Sequence, residues 1–453
     1  VEGGEAQVSL KLPEEGYPFA KVGDRDILLD SDTHTGDYTL PLTAGPKSSF
    51  GGLRTQGDKV FGLKHLEVFP RFKPGQLYDS RMADDLRQAL VATSLFSTVA
   101  VEPVDTGRQA PDGAEIVDLM VTQQKGPWHS LSGSLGYGTG EGIKATGTWT
   151  DRNMFPPEGA LSGTIIAGTR QQGASGSFRR SNAGRRDKTF QVSLSANRSD
   201  LDAYNANTLD LLVNWSRQST PIWQKTWTYS YGVEIVGTNE KGAALTPTGA
   251  RPRRNYLIGA LPVQVEYDRS NDLLNPTRGF RLLARVSPEA SLHGSVHPYV
   301  RATGQATVYF PVSHSFVLAG RALVSSIVGV SSVEEIAPSR RVYSGGGGSV
   351  RGYGYQDIGP KDAQHHPIGG LTSTEFAIEG RYRFGNFGIV PFVDAGRVGE
   401  SSTPGLSHLR YGAGIGARYY TNFGPLRLDI ATPLNRQPGD SRIAVYISIG
   451  QAF

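Results

Sequence analysis

The chain has 453 residues, 38% of them hydrophobic, with a formal net charge of +4 and no cysteine. Disulfides, thiol catalysis and thiolate metal sites are excluded together, and so small a charge gives nucleic acid no electrostatic footprint. A helical membrane protein is excluded too, because no stretch reaches the roughly 18 uncharged apolar residues that a spanning helix needs. The longest, 322–333, is broken by serines and preceded by Arg321. A transmembrane β-barrel stays open, since only alternate residues of its strands face lipid. No charged-then-apolar leader opens the chain and Val1 is not an initiator, so it is read as mature or truncated.

Taken in order, 20–29 and 38–42 read as a strand pair from a unit whose front half is missing. A strand follows at 50–55 and a short helix at 61–69. Pro74-Gly75 then makes a turn. Asp79 or Ser80 caps a second helix, in which Met82, Leu86, Ala89 and Leu90 line one face. Val99 and Val101 begin a strand. Val117, Leu119 and Val121 form another after a Gly/Pro-rich hairpin at 106–113. The order β-α-α-β-β predicts a compact α+β module of about 80 residues.

From about Trp128 the period becomes two. Phe190, Val192, Leu194 and Ala196 alternate with Gln191, Ser193, Ser195 and Asn197. Trp227, Tyr229, Tyr231, Val233 and Ile235 alternate with Thr228, Ser230 and Glu234, and Leu426, Leu428 and Ile430 with Arg427 and Asp429. The last strand carries Ile443, Val445, Ile447, Ile449 and Phe453 on one side. A soluble sandwich also alternates. Here, however, the polar face carries Arg381, Arg383, Arg418 and Asp429, which suits a hydrated lumen, and the apolar face is rich in aromatics, as interfacial girdles require. The expected fold is an all-β transmembrane barrel of about sixteen antiparallel strands over 126–453. Connections after even strands look short, and those after odd strands, notably 237–251 and 329–370, look long. Both barrel ends then lie on the periplasmic side.

The 329–370 loop holds four glycines at 345–348, then Val350, Arg351, Gly352 and Tyr353. No G-x-x-x-x-G-K-[ST] follows, so the glycines are no phosphate cradle. By alternation Glu379 and Asp394 point into the lumen. If the loop folds inward, Arg351 meets them in charge-assisted hydrogen bonds; the plain alternative is a solvated loop charge. Adjacent His365 and His366 lack a third ligand, and no G-x-S-x-G or H-E-x-x-H occurs, so neither a metal site nor an enzyme is indicated.

Val350-Arg351-Gly352-Tyr353 resembles the VRG[FY] signature of the superfamily of outer-membrane insertases and secretion transporters bearing POTRA domains. The module at 46–125 resembles a POTRA domain, and 1–45 the rear part of another. Asn275-Pro276-Thr277-Arg278-Gly279 is similar to a stretch found in a barrel strand of these proteins. The run from Gly424 to Ala431, with Tyr446-Ile447-Ser448-Ile449-Gly450, is most similar to the TamA family of translocation-and-assembly barrels.

The resemblance implies a Gram-negative outer-membrane location with POTRA domains in the periplasm, no enzyme activity and no cofactor. It implies that Arg351 anchors the loop on Glu379 and Asp394, although Ala377 stands where the family often has serine. It implies partners as well: unfolded barrel clients such as autotransporters, the lipid bilayer, and an inner-membrane-anchored TamB-like protein. The related alternatives are a two-partner secretion transporter and the general BamA-type assembly subunit.

A lateral seam is expected between the first strand, with Gly133, Gly136 and Gly138, and the last, with Ile447, Ile449 and an aromatic-ended signal at Phe453. Each strand glycine gives up about 0.5–1 kcal/mol relative to alanine. Such glycines either weaken the seam or only bend the barrel.

Overall fold

The structure is a computed structural model describing residues 2–219, 224–243, 252–293, 297–421, 424–449 and 451–453. The chain divides into two compact units. One comprises Val1–His129, Arg152–Gly159 and Ser181–Arg186, and the other Ser130–Asp151, Ala160–Arg180 and Asp187–Phe453.

The first unit opens with helix α1 (Glu2–Glu14), where only strands were expected downstream. Val8, Leu10 and Leu12 alternate in the sequence, which carries no helical stripe to read. Short strands follow: β1 (Lys21–Val22) pairs with β4 (Leu42–Thr43), and β2 (Asp26–Asp30) with β3 (Thr35–Thr39). Next come β5 (Ser48–Gly57), α2 (Leu63–Leu66), α3 (Ser80–Val91), β6 (Phe96–Gln109) and β7 (Glu115–Lys125). This is the β-α-α-β-β order expected. The sheet runs β5-β7-β6, with β5 parallel and β6 antiparallel to β7. Asp79 caps α3, accepting from the Arg81 N–H at 2.9 Å. Ala83, Leu86, Ala89 and Leu90 then bury one stripe of the helix, against a core that includes Phe50, Phe61, Val117, Leu119 and Val121. Each such large side chain contributes about 1.5–3 kcal/mol on burial.

One buried carboxylate makes this unit acid-sensitive. Burial works to raise the pKa of Asp118, but the Gly52 N–H at 2.8 Å, Arg54 at 2.8 Å and Arg108 at 3.4 Å outweigh it and hold the group below its usual range. The unfolded chain therefore takes up the proton first, at about pH 3.9. The stabilisation is complete above that value and is lost as pH falls through the lower folded pKa. Hydrogen exchange at the β7 amides should accelerate over that acid window, and Asp118→Asn should flatten the dependence. An unchanged acid limb would disprove the assignment.

The second unit is built on a closed antiparallel ring, and the first four of its strands are β8 (His129–Gly138), β9 (Gly142–Phe155), β10 (Gly159–Gly168) and β11 (Gln171–Arg180). β12 (Thr189–Asp200), β13 (Tyr204–Arg217), β14 (Trp227–Gly242), β15 (Arg254–Ala260) and β16 (Val263–Asp268) follow. After them come β17 (Gly279–Ser291), β18 (Tyr299–Pro311), β19 (Phe316–Val328) and β20 (Thr372–Phe384). β21 (Phe387–Gly399), β22 (Arg410–Thr421), β23 (Gly424–Pro433) and β24 (Ala444–Ile449) complete it, and β24 meets β8. β15 and β16 both lie between β14 and β17 and act as one strand, interrupted at Leu261-Pro262. Proline has no N–H for the ladder. The described residues thus form the sixteen strands expected.

Alternation sets the two faces. On β14 the odd-numbered Trp227 to Ile235 stand exposed outside, while Thr228 and Val236 are buried. Outward apolar residues recur on every strand from β17 to β24, a continuous patch far larger than a water-facing surface carries. The edge away from the long 329–371 loop is banded by rings: Trp227 and Tyr267 lie 4.6 Å apart, Tyr267 and Phe280 5.9 Å, Phe387 and Tyr419 5.2 Å. No described helix is long and apolar enough to cross a membrane; the strands make the wall.

Several local expectations change. The turns at 139–141, 169–170 and 201–203 follow odd strands yet are tight, so long connections at that end belong to the later strands. Gly237 lies inside β14 rather than in a loop, and 244–251 lie outside the described residues. Asn275–Thr277 belong to the 269–278 connection, not to a strand. There Asn271 Oδ1 accepts from the Thr277 and Arg278 N–H groups, and Asp272 Oδ1 from those of Leu274 and Asn275. Asx side chains replace ladder bonds in this way, giving a turn where the family resemblance implied a strand.

Candidate functional site: a luminal loop anchored beside the strand seam

The loop between β19 and β20 folds back on itself through bridges Val342–Gly370, Ser344–Ile358 and Lys361–Pro367. Its motif lies against the inner wall. Arg351 is 1% exposed. Its Nε and Nη2 donate to the two oxygens of Asp394 at 2.7 and 2.8 Å, and its backbone N–H to the same carboxylate at 2.9 Å. Nη1 reaches Glu379 at 2.6 Å and Asp429 at 3.3 Å. The guanidinium also lies 3.4 Å from the centroid of the Phe392 ring, in cation–π contact. Glu379 takes a second bond from Arg381, and Asp429 from Arg418 and Arg427. Among the described residues Asp394 is ion-paired with Arg351 alone.

The neighbours of Arg351 are fitted just as closely. Val350 is buried with Tyr353, Ile358 and Val398. Gly352 has φ +103, and a Cβ there would fall 2.9 Å from Thr432 O. The Tyr353 hydroxyl donates to Tyr411 O at 2.9 Å. Room for the motif comes from β22, where Gly412, Gly414 and Gly416 occupy successive inward positions. A Cβ on Gly412 would lie 1.8 Å from Arg351 O, and one on Gly416 2.1 Å from an Asp429 oxygen. A second ion pair, Arg321–Glu375 at 2.8 Å, holds the preceding residues, since Arg321 also donates to Gly348 O and Ser349 O.

The ring closes weakly. β8 and β24 share two register pairs, Gly138–Tyr446 and Tyr137–Ile447, while β13 and β14 are paired from Tyr204–Gly242 to Arg217–Tyr229. Three further bonds join Thr139 and Val445. The loop touches both sides of this seam. The Tyr446 hydroxyl donates to Tyr353 O at 2.6 Å and accepts from the Gly352 N–H at 3.1 Å, and the Tyr355 N–H donates to Thr139 O at 2.9 Å. Between loop and seam lies a cavity of ≈ 600 Å³, lined in part by Gly136, Tyr137, Gly347, Arg427 and Ile449.

Residues 137–453 match the Omp85 superfamily domain. The chain belongs to the Omp85 superfamily. It is 22% identical over 448 residues to the outer membrane protein assembly factor BamA of Nitratidesulfovibrio vulgaris, covering 97% of this chain and 55% of that one. To BamA of Neisseria meningitidis it is 28% identical over 221 residues, covering 41% of this chain and 28% of that one. The chain thus spans about half, or less, of the length of these curated relatives. Among solved structures it overlays BamA from Haemophilus ducreyi lacking POTRA domains 1–3, with TM-score 0.76, 19% identity, and 99% and 92% of the two chains covered. CdiB from Acinetobacter baumannii gives TM-score 0.55 at 15% identity, covering 97% and 80%. Both of these curated relatives are BamA, whereas the C-terminal run resembles the TamA family. As an Omp85 barrel the protein resides in the outer membrane.

Of the expected site residues, the structure brings Arg351, Glu379 and Asp394 together, with Val350, Gly352 and Tyr353 packed around them. Across the seam Gly138 pairs with Tyr446 and Ile447 with Tyr137, and Gly136 lies beside Ile447 O. Gly133 instead neighbours Thr146 of β9, and Ile449 pairs with Leu426 of β23. Phe453 departs furthest. Beyond the end of β24 it turns inward against Tyr309, Val317 and Ala319, and Arg381 donates to its carbonyl at 2.9 Å. The pairing that would keep it in a strand ends at Ile449.

This Omp85 barrel also uses residues that the sequence reading passed over. Asp429 was placed inward but not at the anchor. The Gly-x-Gly-x-Gly of 412–416 signals a wall stripped of side chains on one face, since its period matches the pleat.

Proposed function

We propose that this chain is the barrel-bearing part of a BamA-type assembly factor, which folds client outer-membrane β-barrel proteins at its β8–β24 seam. The observation that carries this reading is the two-pair closure. Cross-strand pairs contribute roughly 0.2–1 kcal/mol each, so this junction is held far more weakly than its neighbours. Once parted, the β8 edge offers unpaired N–H and C=O groups to a client strand by β-augmentation. On this reading 46–125 is a periplasmic POTRA domain and 1–45 the rear part of another, supported by the β-α-α-β-β order.

The cysteine-free chain allows a clean test. Tyr137→Cys with Ile447→Cys places two thiols at a facing pair. Oxidation should stop assembly of a client barrel in liposomes by tenfold or more, and reduction should restore it. Full activity with the seam disulfide formed would defeat the proposal.

A second reading keeps a TamA-type insertase for autotransporters with a TamB-like partner, on the similarity of 424–431. Depleting the protein separates the two: broad loss of outer-membrane barrels favours the first, selective loss of autotransporters the second.

A further inference from the structure

Opposite the clients' path, the outer wall carries an apolar slot of ≈ 380 Å³ bounded by Gly259, Leu261, Pro288, Ala290, Val300 and Val328. Its size lies within the roughly 300–1,000 Å³ of ligand sites. The slot has a structural origin. Gly259 and Ala290 remove side-chain volume, and the ladder is interrupted where Leu261 faces Pro288. Leu261 donates its N–H to Pro288 O, but proline has no N–H to return.

Strand parity puts these side chains outside, continuous with the apolar belt. A tilted strand climbs about 2.5 Å per residue along the barrel axis. Gly259 and Ala290 therefore stand roughly 20–25 Å above the rings of Tyr267 and Phe280, at the far edge of a belt about 25 Å tall. That is the end bearing the long loop, which faces outside.

A void open to hydrocarbon loses contact energy on every lining atom unless a chain fills it. Six positions further along β14 and β15, roughly 15 Å by the same rise, the outer face carries cations. Lys241 and Arg253 lie on the outer side, and Arg253 is fixed there by Asn239 at 2.7 Å and by Asn205. The carboxylates of the same strand ends, Glu240 and Glu289, are buried behind the wall, on Ser339 and on Tyr299. Cations above an apolar slot match an anionic headgroup above an acyl chain. We propose that this slot holds one acyl chain of a phosphorylated outer-leaflet glycolipid of the lipopolysaccharide type.

Native mass spectrometry of the full chain, reconstituted with lipopolysaccharide or with phospholipid alone and then washed in detergent, tests this. Wild type should retain one glycolipid per barrel. Ala290→Trp, which fills the slot, should lower retention tenfold or more, and Ala284→Trp, outward on the same strand below it, should leave it unchanged. Val328→Trp serves as a second filling variant if Ala290→Trp fails to fold by heat-modifiable mobility. The proposal is overturned if wild type retains nothing, if phospholipid is held equally well, or if the filled variants bind like wild type.

Discussion

Arg351→Ala should destabilise the barrel by about 3 kcal/mol, at the low end of the roughly 3–5 kcal/mol for breaking a buried ion pair. The partners decide the magnitude. Glu379 keeps Arg381, and Asp429 keeps Arg418 and Arg427, so only Asp394 loses its cation, together with the fork that held both its oxygens. Urea unfolding in detergent micelles measures the loss, and protease cleavage within 345–358 reports a loop freed from the wall. Arg351→Lys keeps the charge but cannot reproduce the fork, and should fall between. Removing the orphan as well, in Arg351→Ala with Asp394→Ala, should recover part of the stability, since residues in one network are not additive. Arg383→Ala, at an exposed site near Tyr420, should stay within about 0.5 kcal/mol of wild type. Equal stability of Arg351→Ala and Arg383→Ala would show that the buried cluster does not hold the loop.

Gly412→Val should release the same loop without touching a charge. The new Cβ would lie 1.8 Å from Arg351 O and within 3.5 Å of the Gly352 Cα. Both contacts are backbone, so no side-chain rotation relieves them. Overpacking of this kind costs about 1–3 kcal/mol, and here it displaces the motif as well, so the expected result is protease sensitivity equal to that of Arg351→Ala. Gly176, on β11, meets nothing within 4 Å of an added Cβ. Gly176→Ala should therefore be neutral, or stabilising by about 0.5 kcal/mol. A Gly412→Val loop as protected as wild type would mean that the motif does not need this clearance.

The anchor was legible to the extent that it follows from local rules. Two-residue alternation puts every second side chain on the same face, so Glu379 and Asp394 read as inward before any fold was known, and a loop arginine needs carboxylates if it is buried. Asp429 had the same parity, but its nearness to Arg351 depends on β23 lying two strands from β21, a consequence of ring closure. Tyr446 was hidden for a related reason: it binds the motif through its hydroxyl across 93 sequence positions. Helix α1 failed to register because Val8, Leu10 and Leu12 mimic a strand's alternation, and Asn275–Thr277 read as strand only through the family resemblance.

Sequence alone determined the periodic switch near Trp128, the two faces of each strand, and the capped helix at 80–91, because these depend on residues at most a few positions apart. The tertiary structure decided what meets across the ring: which carboxylates share Arg351, how few bonds close β8 on β24, and where Phe453 comes to rest. Those outcomes depend on strand order, register and curvature, to which each residue contributes only with the whole wall in place.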